Sequence, residues 1–223
     1  MSEKVLVVAA HPDDEVLGCG GTIARHVAEG DEVHVVFLAD GVTSREHGPD
    51  DLRTRESAVE KAMSILGVRD HRYLGFPDNR LDSLPLLDIV QALEKVVDAI
   101  QPEKVYTHHH GDLNLDHQIA HRAALTACRP VPGQSVKAIL AFEVLSSSEW
   151  ATPGLQPFVP DTYIDITAYS ELKMKALAAY QDEMRPYPHS RSFESVRSLM
   201  DLRGCSVGVN RAEAFSLVRQ LIL

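Results

Sequence analysis

His11, Asp13, Asp14 and Glu15 put one imidazole and three carboxylates into five residues, with Pro12 among them and the apolar run Val5-Leu6-Val7-Val8-Ala9-Ala10 directly before. Proline fixes its own φ and drives the preceding residue toward an extended conformation, so the spacing predicts a strand ending at His11 and a helix beginning near Pro12. Across that first turn His11 and Asp14 can face a common centre, while Asp13 is aimed differently and can act on whatever the centre binds. Acids are favoured in a helix's first turn by the macrodipole; that accounts for the carboxylates and leaves the histidine unexplained. A second dense block, His108-His109-His110-Gly111-Asp112-Leu113-Asn114-Leu115-Asp116-His117, lies far along the chain.

His11, Asp14 and one histidine of the second block make the donor set of a catalytic zinc, which keeps a fourth position open for water. The same set serves non-haem iron oxygenases, so ligand type leaves Zn2+, Fe2+ and other divalent ions open. Asp13 separates the two chemistries. A spare carboxylate beside a metal is a general base for hydrolysis, and oxygen chemistry does not need one.

The elements that must position these residues are legible from periodicity. Val16, Leu17, Ile23, Ala24 and Val27 predict a helix over 16–29 that Gly30 stops. Gly18, Gly20 and Gly21 do not form G-x-G-x-x-G, so they read as close packing of helix on sheet rather than a dinucleotide fingerprint. Strands are expected over 32–39, 71–74, 104–108 and 138–144, and helices over 52–66, 86–100 and from His117 to about Cys128. The polar stretch Asp40 to Asp51 is too long for a tight turn and reads as a substrate loop. Beyond it come a Pro-rich passage from Ser146 to Pro160, a strand near 163–166, a helix over about 168–181 and a less readable carboxyl end. Five rounds of strand and helix predict one α/β domain over 1–223, a Rossmann-like, doubly wound, mostly parallel sheet with helices on both faces. With strand order 3-2-1-4-5, strands one and four adjoin at the switch point, where such sheets bind ligands beyond their carboxyl ends. The two histidine-bearing segments then meet in one crevice.

These residues resemble the PIG-L/LmbE-like family of zinc-dependent N-deacetylases acting on N-acetylglucosaminyl compounds. Ala10-His11-Pro12-Asp13-Asp14-Glu15 is similar to the family's first signature and Asp116-His117 to the close of its second. Leu74-Gly75-Phe76-Pro77-Asp78, Arg203-Gly204 and Ala212-Glu213-Ala214-Phe215 extend the likeness over most of the chain. The resemblance implies that His11, Asp14 and His117 hold zinc and that Asp13 is the base. One departure matters: many members read His-Pro-Asp-His where this chain reads Asn114-Leu115-Asp116-His117. Asn114 donates a hydrogen bond but carries no proton or positive charge. Either a neutral donor suffices, or another group supplies the acid, with His189 of Pro186-Tyr187-Pro188-His189-Ser190-Arg191 as the candidate. Asp116 is expected to orient a ligand histidine.

Plainer readings stand beside these. Neighbouring side chains in a strand point opposite ways, so at most two of His108, His109 and His110 share a face. His121, four residues past His117, could form a helical H-x-x-x-H pair with it, but it lies a full turn from the loop and His117 alone is preferred. Glu143 either contacts the sugar or pairs with a buried arginine. Arg53, with Arg55 and Arg80, and Arg191 are candidates for an anionic group on the substrate, although solvated helix arginines need no ligand. Cys19 reads as a packing thiol.

Composition bounds the rest. A chain of 223 residues, 44% of them apolar, is enough for one substantial core. A formal charge of −10 argues against general affinity for nucleic acid or anionic membrane. Cys19, Cys128 and Cys205, odd in number and never C-x-x-C, read as reduced thiols of a cytoplasmic protein. Neither a leader-like amino terminus nor a run of eighteen apolar residues is present, so secretion and a membrane span are not expected. The expected function is zinc-dependent removal of the N-acetyl group from a small acetamido-sugar conjugate. The rivals are an amidase acting on a non-sugar or thiol conjugate, an iron oxygenase, and a metal-binding module whose fourth position is filled by one of His108 to His110. The passage Trp150 to Pro160 is read as a homo-oligomer interface or a substrate lid.

Overall fold

The computed structural model describes residues 2–41 and 49–222, so most of the expected substrate loop, 42–48, lies outside the described residues. In chain order the elements are β1 (Lys4–Ala9), α1 (Asp14–Glu29), β2 (Glu32–Ala39), α2 (Pro49–Leu66), β3 (Asp70–Phe76), α3 (Leu86–Ile100), β4 (Lys104–His108), α4 (Leu115–Ala127), β5 (Ala138–Phe142), β6 (Thr162–Asp165), α5 (Ser170–Leu177), α6 (Phe193–Cys205) and β7 (Ala212–Gln220). Seven strands form one sheet in the order β3-β2-β1-β4-β5-β7-β6. The first five pair in parallel, which bears out the Rossmann-like order 3-2-1-4-5, and β7 pairs antiparallel with β5 on one side and β6 on the other.

The continuous apolar runs have a simple cause: both faces of the sheet are covered. Val5, Val7 and Ala9 of β1 enter one core with α1, α2 and α5, while Leu6, Val8 and Ala10 enter the other with α3 and α4. β5 divides the same way, with Leu140 and Phe142 on one side and Ile139 on the other. No helix among the described residues is long and apolar enough to cross a membrane.

The glycines of α1 let that helix lie on the sheet. A Cβ at Gly18 would collide with the Phe142 ring, and one at Gly21 would come within 2.7 Å of Ile166 Cδ1. α1 also bends at Cys19, whose φ of −146 is not helical. The backbone groups released by the bend are taken up by side chains: Gly21 and Thr22 N–H donate to the two oxygens of Glu213 at 2.9 and 2.7 Å, and Lys173 Nζ donates to Leu17 O at 2.8 Å. Lys173 and Glu213 pair at 2.6 Å, both buried, so this kink is closed by an internal ion pair.

Candidate metal centre

Two strand ends build the site. Ala10 N–H, just past β1, donates to Nε2 of His108, the last residue of β4, at 2.9 Å and fixes the two ends side by side. The chain then turns through Pro12, and Asp13 caps α1 at φ 110. That left-handed backbone costs a non-glycine residue about 1–3 kcal/mol and persists only where its surroundings over-determine it. Here Glu15 Oε2 accepts the Asp13 N–H at 2.9 Å, and the Tyr180 hydroxyl donates to Glu15 Oε1 at 2.7 Å. The turn after β4 ends at Asn114, which caps α4 by accepting the Asp116 N–H on Oδ1 at 2.8 Å.

The first turns of α1 and α4 thereby face one another. Asp14 Oδ2 lies 3.2 Å from His11 Nδ1 and 3.3 Å from His117 Nε2, and the three donor atoms lie within 4.8 Å of one another. Each imidazole gives its other nitrogen to carboxylate: His11 Nε2 stands 3.0 Å from Asp116 Oδ2 and 3.2 Å from Asp78 Oδ1, and His117 Nδ1 stands 3.2 Å from Asp112 Oδ2. Those acceptors are themselves held. Asp116 Oδ1 accepts the Leu81 N–H at 3.0 Å, and Asp112 accepts the hydroxyls of Ser147 and Ser148. Histidines that ligate metals are commonly oriented by such a carboxylate behind them. Two nitrogens and one oxygen, buried and converging from fixed rotamers, fit a divalent cation such as zinc with room for a further ligand.

Charge is balanced tightly in the metal-free centre. Burial opposes the charged form of His11, yet bonds to Asp116 and Asp14 raise its pKa to about 10. Burial likewise opposes charge on His117, but Asp14 and Asp112 raise it to about 9. Burial would raise Asp14, and the charge of His117, with the bonds from His11 and His117, overcomes it and holds the carboxyl well below the usual range. Burial pushes Asp13 up and the Arg191 guanidinium pulls it down, leaving it raised to about 6. A bound cation would displace the protons of both imidazoles.

Asp13 stands beside this centre and takes no part in the three-donor cluster; its Oδ2 lies 3.0 Å from Arg191 Nη1. A cavity of about 460 Å³ opens over the centre, walled by Asp78, Asn79 and Asn114 on one side and Trp150, Ser146 and Arg191 on the other. Asn114 reaches it while donating Nδ2 to Asn79 Oδ1 at 3.2 Å. The remaining expected residues are not all brought there. His189 is exposed at the rim, its ring edge-on to Trp150 at 5.5 Å. Arg53 is exposed and does not line the cavity, whereas Arg55 does, bonded to Glu183 at 2.9 Å; residues two apart on a helix cannot share a face. Glu143, expected on the sugar or a buried arginine, is locked bidentate to Arg203 at 2.7 Å through both oxygens and stays outside the cavity. Arg191 lines the cavity, but its Nη1 goes to Asp13.

The histidine triplet serves the framework. His108 Nε2 accepts a backbone N–H and its ring stacks on His117 at 4.0 Å; His109 bonds to Gln156 O at 2.9 Å. His121 Nδ1 bonds to His108 O at 2.8 Å, turned from the centre. Sequence reasoning assigned no role to Asp112, Asp78, Glu183, Glu15 or Tyr180. Asp112 was the accessible one, for it stands inside the second histidine block.

The family model described as PIG-L: GlcNAc-PI de-N-acetylase matches residues 6–128, from β1 to the end of α4. The chain is 31% identical to the uncharacterized deacetylase YaiS of Escherichia coli K12, over 79% of this chain and 90% of that one. It is also 31% identical to a 1D-myo-inositol 2-acetamido-2-deoxy-alpha-D-glucopyranoside deacetylase of Saccharomonospora viridis, over 82% and 86% of the two chains. Among solved structures, the conserved protein TT1542 of Thermus thermophilus superposes with a TM-score of 0.76 at 28% identity, covering 100% of this chain and 97% of that one.

Proposed function

The chain belongs to the PIG-L family, and on that premise we propose that it is a metal-dependent N-deacetylase that hydrolyses the acetamido group of an N-acetylglucosamine-containing conjugate. The observation that carries the reading is the pairing of a three-donor centre with one carboxylate held apart from it: His11, Asp14 and His117 converge, and Asp13 is left for proton transfer. Those three residues would hold the divalent cation, which would supply Lewis acidity and bring the acidity of water to about neutral pH.

The chain's own residues do the rest. Asp13 removes the proton of the attacking water as its oxygen joins the carbonyl carbon. Asn114, fixed by Asp116 N–H and Asn79, offers a neutral donor to the oxygen on which charge develops. When the C–N bond breaks, the nitrogen must gain a proton. Asp13, now carrying one, returns it, with His189 as the second donor. Asp116 and Asp112 hold the ligand imidazoles in orientation throughout. Products are acetate and the free amine.

Free thiols, with Cys19 and Cys128 buried and Cys205 exposed, support a cytoplasmic enzyme. The net charge of −10 favours a small-molecule substrate over nucleic acid.

The test measures bound metal and acetate released from small N-acetylglucosamine substrates, for the parent and for Asp13→Asn. The variant should keep its metal and lose acetate release by at least about 100-fold, the scale of a general base. A fully loaded parent that releases no acetate from any acetamido sugar would sink the substrate class. Equal rates of acetate release in parent and variant would remove Asp13 as the general base.

A further inference from the structure

Arg191 does not sit like a residue awaiting a substrate anion. Its Nη1 donates to Asp13 Oδ2 at 3.0 Å and its Nε to Ser146 Oγ at 2.8 Å, so two of the three guanidinium nitrogens are already engaged by the protein. Two separate loops hold it in that pose. On its own loop, Arg191 O accepts the Arg185 N–H at 2.9 Å and Arg191 N–H donates to His189 Nδ1 at 3.0 Å. The facing loop, just after β5, is stitched to it: Glu149 takes the Ser190 hydroxyl and also accepts the Ser146 N–H on Oε1 at 2.7 Å, and Ser146 holds φ 69. Ser146 is thus set at a fixed distance from the guanidinium.

Asp13 meets the complementary constraint. Glu15 fixes its backbone N–H, but a carboxylate still rotates about its own bonds, and the Arg191 guanidinium is what holds it against that rotation. Cross-loop restraint of this kind is how an enzyme fixes a reacting group to within a fraction of an ångström.

Resting on the deacetylase reading above, we propose that Arg191 is a positioning residue: anchored by Ser146, it holds the Asp13 carboxylate toward the cavity and keeps a fixed positive charge beside the reacting carbonyl, where Asn114 offers only a neutral donor. It binds no anionic group of the substrate. Arginine suits the task because its rigid planar fork fixes two acceptors at set positions, whereas lysine offers a compact charge on a flexible stem.

Arg191→Ala and Arg191→Lys are compared with the metal-loaded parent on the acetamido sugar that the parent hydrolyses best. In Arg191→Ala kcat should fall about 100-fold with KM within about threefold, the signature of lost orientation rather than lost binding. Added guanidinium chloride at millimolar concentration should restore part of kcat. Arg191→Lys should fall between the two, and it carries the comparison if the alanine variant loses its fold or its metal. Ser146→Ala should lower kcat in the same direction by a smaller factor. A KM that rises with kcat kept would overturn the proposal in favour of a substrate anchor, and unchanged kinetics would overturn it outright. A crystal structure of Arg191→Ala gives a readout free of any substrate. The Asp13 carboxylate is expected in a new rotamer, and an unmoved one contradicts the proposal. An inactive parent would defeat the deacetylase reading, while that crystal structure still decides the role of Arg191.

Discussion

Asp13 and Asp14 are neighbours with the same side chain, and their surroundings give them opposite tasks. Asp14 is ringed by His11, His117 and His108 and held far below the usual carboxyl range, so it is a permanent anion fit to bind a cation. Asp13, buried and answered by the Arg191 guanidinium with a smaller contribution from Arg55, is raised to about 6, where a carboxylate can accept a proton and give it back near neutral pH. Behind His117, Asp112 is the counterpart of Asp116 behind His11. Burial alone would raise its carboxyl, but the His117 bond and the two serine hydroxyls bring it down to about 2. Asp112→Asn should therefore leave the fold intact and weaken zinc binding by about 10–100-fold, measured by competition with a chromophoric chelator. Undiminished affinity would remove Asp112 from the centre. At this scale the sequence was legible where chemistry is local. His11, Asp13 and Asp14 stand in one turn, and Asp116 with His117 in another. Arg191 on Asp13 and Glu183 on Arg55 were not legible, because those partners come from loops that only the fold brings near. Glu143 shows the limit directly: the sequence left a sugar contact and an arginine partner equally open, and Arg203 on both its oxygens decides for the second.

At the scale of elements, α1 matters because its first turn carries the metal donors and its body must lie flat on the sheet. Gly18 and Gly21 permit that approach, as their close packing predicted. The bend at Cys19 could not be anticipated, since its cause is an ion pair contributed by α5 and β7. Lys173 caps the freed Leu17 carbonyl and Glu213 the freed Gly21 and Thr22 N–H groups. Removing one partner of a buried pair strands the other charge. Lys173→Met should therefore destabilise the protein by about 3–5 kcal/mol in urea unfolding. Disrupting the exposed Arg25–Glu29 pair on the same helix with Glu29→Ala should change stability by under about 1 kcal/mol. Equal effects would show that the kink is not held by Lys173. α4 follows a different logic: Asn114 starts it, so the residue that departs from the family's second signature also serves as its cap.

Across the whole molecule, the site exists because β1 and β4 are adjacent and parallel, which carries His11 and His117 to the same edge of the sheet. That much was readable, since β1, β2 and β5, buried along nearly their whole length, announce themselves as apolar runs. The carboxyl-terminal part was not. β6 is only half-buried, β7 is buried over its first four residues and open over most of the rest, and α6 buries the narrow stripe Val196, Met200 and Gly204. α5 also stops at Leu177, short of the expected helix end, and the chain tightens into a 3-10 turn that delivers Tyr180 to Glu15. Global stability should report the centre as well. In the metal-free protein His11 and His117 are raised to about 10 and about 9, above the unfolded value of 6.5. Their contribution is then fully present below about pH 6.5 and is lost as pH rises through 9 to 10. Calorimetric melting of the metal-free protein should fall over that window more steeply than that of His117→Gln. The zinc-loaded protein, whose ligand imidazoles have already given up the proton that titrates in this window, should lack the slope. A metal-free protein whose melting is flat there would contradict the charge balance assigned to the centre.

The most direct test is calorimetric titration of zinc into the metal-free protein at pH 7, repeated in buffers of different ionisation enthalpy. With His11 and His117 both protonated beforehand, the ion should bind once per chain and release about two protons, and His117→Ala should abolish tight uptake. Zinc taken up with equal affinity by His117→Ala would show that His11, Asp14 and His117 are not the grip, and uptake without proton release would contradict the charge assigned to the two imidazoles.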